Sequence, residues 1–138
     1  ITSLFDIKEA DYEEPEFISE VCRRTGCGLL LDLTNIHINS YNRKKDPRRF
    51  LERFPLDHAG QIHLAGGIIE HDHFLDTHSE KITGINEGVW PLLEWTANHA
   101  DIKAFIIERD QNFKDDFDDM ILADLQKIRK ILSSSGKV

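Results

Sequence analysis

Two cysteines, Cys22 and Cys27, are all that the 138 residues of this chain contain, and their five-residue separation matches neither a CxxC pair nor a Cys/His finger. That scarcity excludes a disulfide framework and a structural zinc finger, and implies two reduced thiols. Cys22 falls on the apolar side of a predicted helix with Phe17, Ile18 and Val21, where a buried thiol is structural rather than nucleophilic. Basic charge is also short, with 17 Lys and Arg against 25 Asp and Glu, a net charge of -8 and a pI near 5.3. Gripping a phosphate backbone needs clustered Lys and Arg. The one basic cluster, Arg43 to Arg49, is broken by Asp46 and Pro47 and reads as a solvated face, so no nucleic-acid partner is expected. No apolar run approaches the ~20 residues needed to span a bilayer, and no positively charged start leads into one. A cytoplasmic protein without membrane contact is the expectation. Gly66-Gly67 lacks both a G-x-G-x-x-G pattern and a Walker lysine, and there is no G-x-S-x-G elbow or Cys/His pair. Nucleotide binding and nucleophilic acyl transfer therefore have no support.

What the chain does have is ordinary globular composition, 40% apolar and 30% charged, enough for one domain over 1–138. Its apolar pattern alternates between two periods. Pro15, after the acidic DYEE, opens a helix through Phe17, Ile18, Val21 and Cys22 that Gly26 can close. Gly28 to Leu33 reads as a buried strand. Asp46-Pro47 is a cap and start for a short helix through Phe50, Leu51 and Phe54, which Pro55 ends. Gln61 to Ala65 is a second strand and, after a long polar loop, Val89 to Trp95 a helix with Pro91 in its first turn. Lys103 to Glu108 is the third strand. Ile121, Leu125, Ile128, Ile131 and Leu132 form the clearest amphipathic helix, ending near Ser133 to Gly136. Continuous apolar strands linked by single helices imply a parallel sheet buried on both faces. The fold class is α/β, a parallel (β/α) half-barrel, because a complete TIM (β/α)8 barrel needs roughly 250 residues. A fourth strand at Ile1 to Phe5 would complete the half. The open sheet edges, and the start at Ile rather than Met, predict a fragment of a longer barrel.

Chemistry gathers at the carboxyl ends of these strands. Asp32 and Asn35 follow GLLL, His63 lies in QIHLAGG, Glu108 closes AFIIE, and Asp76 and His78 sit in the loop FLDTHS. Four segments that each deliver oxygen or imidazole ligands from strand ends or adjoining loops are what a metal site in a parallel barrel requires. A carboxylate, amide and imidazole set suits iron or manganese with open coordination positions.

Each residue also has a plainer reading. Asp32 could cap a loop or helix, Asn35 could make an Asx turn, and a lone His63 in an apolar strand is commonly a satisfied core residue. The three equivalent strand ends shift the balance toward a site. Arg109 and Asp110 read as a rim ion-pair network, with orientation of the ligands as their functional alternative. His71 and His73, in EHDHF, read as a solvated loop; His37, His58 and His99 carry no spacing signal. Trp90 and Trp95 read as packing residues.

The blocks RRTGCGLLLDLTNIHINS, DPRRFL, IHLAGG, LDTHS, VWPLLEW and IIERDQNF, in this order, resemble the carboxyl-terminal half of the multinuclear non-haem iron-dependent oxidative enzymes, the domain of unknown function 692 branch of the xylose-isomerase-like barrels. The resemblance implies iron ligands at Asp32, Asn35, His63, Asp76, His78 and Glu108. Asp32, His63 and Glu108 would hold one iron; Asn35, Asp76 and His78 would hold its neighbour. It implies two or three irons in a full-length protein, with manganese or zinc as possible substitutes, and an incomplete site here. Two further imidazoles and a bridging glutamate have no counterpart in this chain, and Gly67 stands where many members carry His. The implied reaction is dioxygen-dependent oxidation of cysteines in a ribosomally made precursor peptide, usually presented by a partner protein. This chain alone is expected to be inactive. Two other readings remain open. One is a divalent-metal sugar isomerase or endonuclease of the same barrel superfamily. The other is a non-catalytic fragment that self-associates through its sheet edges.

Overall fold

The computed structural model describes residues 2–3, 9–84, 86–113 and 116–136; the strand expected at Ile1 to Phe5 falls largely outside these. Helix α1, Glu14–Thr25, starts with Pro15 in its first turn, and Gly26 closes it with φ of 70°, donating its amide to the Cys22 carbonyl. Strand β1, Leu29–Asp32, runs into helix α2, Leu33–Asn42, which the sequence pattern does not predict. Helix α3, Pro47–Leu51, is capped by Asp46, whose carboxylate accepts from the amides of Arg48 and Arg49. Strand β2, Ala59–Leu64, leads to a second unpredicted feature, the antiparallel hairpin of β3, Ile68–Glu70, and β4, His73–Leu75. Its two-residue turn is His71-Asp72, both at positive φ, the geometry that matches the twist of a tight hairpin. Helix α4, Val89–His99, strand β5, Ala104–Ile107, and helix α5, Phe117–Ser134, complete the order.

Strands β1, β2 and β5 form one parallel sheet in that order, with Asp32 beside His63 and His63 beside Ile106. A parallel three-stranded sheet with helical crossovers is α/β architecture consistent with half of a TIM-type barrel. Leu31, Ile62 and Leu64 point to the face covered by helices, where they pack with Leu33, Leu51, Val89 and Leu93. Leu30 and Ile106 point the other way and are 49% and 39% exposed. The sheet is therefore buried on one face only, which corrects the expectation of burial on both. Apolar runs report what a strand is built to face, and every helix described here lies on the same side.

Helix α1 departs from its expected packing in one respect. Cys22 is buried, as anticipated, but Phe17 is 55% exposed. Burial pushes the Cys22 thiol above its ordinary value, and neighbouring Cys27 adds to this, as befits an unreactive core thiol. Trp90 is buried and Trp95 packs against the core, so both act in packing. Arg48 lies 4.0 Å from the centre of the Trp95 ring, and His99 stacks on the same ring.

Candidate metal centre

Asp32 is the last residue of β1 and also the N-cap of α2. Its Oδ1 accepts the Asn35 amide at 2.9 Å, so the capping reading of the residue holds alongside its placement in the site. Thr34, fully buried in the first turn of α2, donates its hydroxyl to the Ala65 carbonyl at 3.0 Å and accepts the Ala65 amide at 2.8 Å. This two-way bond locks the end of β1 to the end of β2. The Glu108 amide donates to the Leu64 carbonyl at 2.9 Å and brings the end of β5 to the same level. Side chains two residues apart on a strand share a face, so Leu30 with Asp32, and Gln61 with His63, line the open face of the sheet.

The fourth segment reaches this level through a glycine corner. The Gly66 carbonyl accepts from the amides of Ser79 and Glu80 at 3.0 and 3.2 Å. A Cβ on Gly66 would collide with the Glu80 backbone, and one on Gly67 with the Leu75 carbonyl. In this chain, no side chain fits where related sequences are expected to carry His. Asn86, fully buried, fastens the corner from behind: its Oδ1 accepts from the Gly67 amide at 2.9 Å. Its Nδ2 donates to the carbonyls of Gly67 and Lys81 at 3.2 and 3.1 Å. The loop between carries Asp76 and His78.

These elements bring together oxygen and nitrogen atoms of Asp32, His78 and Glu108 that all lie within 4.8 Å of one another. His63 Nδ1 is 2.7 Å from Glu108 Oε1, and its Nε2 is 2.6 Å from the Gln61 side-chain nitrogen. His78 Nε2 is 3.0 Å from Asp76 Oδ1; its Nδ1 is 3.0 Å from Asp110 Oδ2 and 3.7 Å from Glu108 Oε2. Asn35 lines a pocket of about 200 Å³ with Asp32, and its Oδ1 is buried without a hydrogen-bond partner. Asp76 Oδ1 is likewise buried and unbonded, since its approach to His78 lacks hydrogen-bonding geometry. Five of the six residues singled out from sequence thus interlock directly, and Asn35 lies beside Asp32 through the cap. His71 and His73 lie on the exposed hairpin, apart from this cluster. Asp110 pairs with His78, in keeping with the ion-pair reading of that residue, whereas Gln61 has no expected role in the sequence pattern; the signal for it is its position two residues before His63 on the same face.

The electrostatics follow from packing acids together. Burial raises the Asp32 carboxyl above its ordinary range; the Asn35 amide opposes this, while Asp76 and Glu108 reinforce it. Burial also works against a charged His78, but the carboxylates of Asp76, Asp110 and Glu108 outweigh it and raise the imidazole. A cluster of half-buried acids with two imidazoles among them is a donor set suited to a hard or borderline divalent cation.

The class defined by this fold and site is a TIM-type parallel α/β unit with a cluster able to hold a metal ion at its carboxyl strand ends. The chain belongs to the RiPP precursor modification enzyme family MbnB/TglH/ChrH, whose family model matches residues 1–133. It is 39% identical over 99 residues to a UPF0276 protein of Caulobacter vibrioides, a match covering 72% of this chain and 34% of the relative. A UPF0276 protein of Bordetella pertussis is 38% identical over 105 residues, covering 72% and 35%, and one of an Anaeromyxobacter species 34% over 112 residues, covering 81% and 38%. The matched segment spans about a third of these relatives. No helix among the described residues is long and apolar enough to cross a membrane.

Proposed function

We propose that residues 1–138 form one α/β domain, the carboxyl-terminal half of a barrel, and supply six ligands to a multinuclear non-haem iron centre. Asp32, His63 and Glu108 would hold one iron, and Asn35, Asp76 and His78 its neighbour, with two or three ions in the whole site. The observation that supports a shared centre is the convergence of Asp32, His78 and Glu108 from three separate segments to within 4.8 Å of one another, a group that spans both ligand sets. The donor set fits the group: the buried, unbonded Oδ1 atoms of Asn35 and Asp76 are acceptors that lack a donor, and buried polar atoms seek partners. Oxygen and imidazole donors without sulfur suit iron or manganese. Iron, when bound, would supply the redox chemistry by which dioxygen oxidises cysteine thiols of a ribosomally made precursor peptide. This chain's residues would hold the ions, keep acid groups close to them and orient the imidazoles.

Membership of a peptide-modifying family supports the precursor peptide as substrate and disfavours a sugar or DNA. A partner protein that presents the peptide, and a cytoplasmic setting in which Cys22 and Cys27 stay thiols, complete the reading. The test is metal content by mass spectrometry of the untagged chain from iron-supplemented cells, beside the His63→Ala/Asp76→Ala double variant. Iron bound to the wild type and lost in the variant, with unchanged circular dichroism, is the expected result. Equal iron in both would remove these residues from the ligand set.

A further inference from the structure

The segment following β5 grips the loop that carries Asp76 and His78 at three consecutive carbonyls. The Gln111 side chain donates to the Thr77 carbonyl at 3.3 Å, the Asp110 amide to the His78 carbonyl at 3.0 Å, and the Asn112 side chain to the Ser79 carbonyl at 3.3 Å. Asn112 also donates to Glu80 Oε1 at 2.9 Å. The residue at the centre of this grip is strained. His78 has φ of 48°, the left-handed region that non-glycine residues seldom occupy and that persists only where surrounding contacts enforce it. The same Asp110 whose amide holds the His78 backbone places its carboxylate 3.0 Å from His78 Nδ1. One residue therefore fixes both the backbone and the ring of His78.

We propose that Asp110 is a positioning residue, whose carboxylate accepts the Nδ1–H of His78 and so turns Nε2, 3.0 Å from Asp76 Oδ1, toward the ion that His78 and Asp76 would share. A neutral imidazole carries one ring proton, and whichever nitrogen keeps it cannot bind a metal. Nδ1 has two carboxylates near it. Asp110 is within hydrogen-bond distance, whereas Glu108 Oε2 at 3.7 Å is not and is left free for an ion. A carboxylate that orients a ligating histidine typically contributes 10–100-fold to metal affinity. Only the affinity part of the proposal rests on the metal-centre reading; the ring orientation stands independently of it.

The test uses Asp110→Ala, which removes the carboxylate but keeps the amide that holds His78, and Asp110→Glu as the conservative rescue. The His78 tautomer is read by long-range 1H–15N correlation in the metal-free chain at a pH where the ring is neutral, with His78→Gln assigning the signal. The wild type is expected to show protonated Nδ1. Asp110→Ala should shift toward a mixed tautomer, and Asp110→Glu should restore the wild-type signal. Iron(II) titration under argon should show a 10–100-fold weaker site in Asp110→Ala, with thermal unfolding of the metal-free protein unmoved. An unchanged tautomer in Asp110→Ala overturns the proposal. A wild type that shows the protonated Nδ1 but binds no iron would overturn the affinity part of the proposal and leave the ring orientation by Asp110 standing.

Discussion

Replacing Asn86 by alanine exposes how the loop bearing Asp76 and His78 is held. The side chain is fully buried and satisfies three backbone groups, the amide and carbonyl of Gly67 and the carbonyl of Lys81. The alanine variant strands all three in a space closed to solvent. Each stranded buried group costs about 1–3 kcal/mol, so the total is about 3–6 kcal/mol after partial relaxation. A domain of this size has roughly 5–15 kcal/mol in all, and the variant should lie near the edge of folding. With a urea dependence of about 2 kcal/mol per molar, the midpoint should fall by about 2 M in equilibrium unfolding followed by circular dichroism. Asn86→Asp supplies a sharper control. It keeps the acceptor for the Gly67 amide but turns a carboxylate oxygen toward two carbonyls, and should be at least as damaging as alanine. A loss below about 1 kcal/mol for Asn86→Ala, or clear tolerance of Asn86→Asp, would refute the assignment of this amide as the fastener.

Gly66→Ala should abolish cooperative unfolding, because its Cβ would overlap the Glu80 backbone, whereas Gly60→Ala, with open space around it, should unfold within about 1 kcal/mol of wild type. Buried Asp124 accepts the Ile82 amide at 2.9 Å and the Thr83 hydroxyl at 3.2 Å. Asp124→Ala should therefore cost about 2–4 kcal/mol in urea unfolding, and Asp124→Asn less. Thr34→Val keeps the shape of the side chain but strands the Ala65 amide and carbonyl, and should cost about 2–4 kcal/mol by the same assay. Because that bond ties β1 to β2, hydrogen exchange of the Ala65 amide should also accelerate; an unchanged rate would show that the hydroxyl is not its partner.

Where the sequence carries a capping residue or a clear period, it specifies the element. Pro15 and Gly26 bound α1, Asp46-Pro47 opens α3, and the spacing of Ile128 and Leu132 sets the buried side of α5. Helix α2 escaped notice because LTNIHINSYN is made of β-branched and amide residues with weak helix preference. Its buried face includes Thr34, Asn39 and Ser40, so burial does not follow apolarity there. The β3–β4 hairpin was hidden by strands of three residues and by a His-Asp turn in place of the usual Asn-Gly or Asp-Gly. Within the site, Asp32, His63 and Glu108 were legible as polar groups ending apolar strands. The grip of residues 110–112 on the loop was not, because its acceptors are backbone carbonyls some 33 residues away, and carbonyls leave no trace in residue identity. Exposure of Leu30 and Ile106 was hidden for the opposite reason, since an apolar side chain records a preference and not the presence of its neighbour.

The lacing of the Asp76–His78 loop sets how an ion would arrive. Gly66, Asn86 and the 110–112 segment hold this loop through backbone, amide and Asp110 carboxylate bonds that spare His78 Nε2 and the carboxylates of Asp32 and Glu108. The chain entropy of the loop is thus already surrendered during folding, and capture of a cation calls for shedding of its water and small turns of side chains rather than a disorder-to-order transition. Loading should accordingly leave the surrounding backbone in place, and the affinity for the ion is not diminished by a cost of ordering the loop.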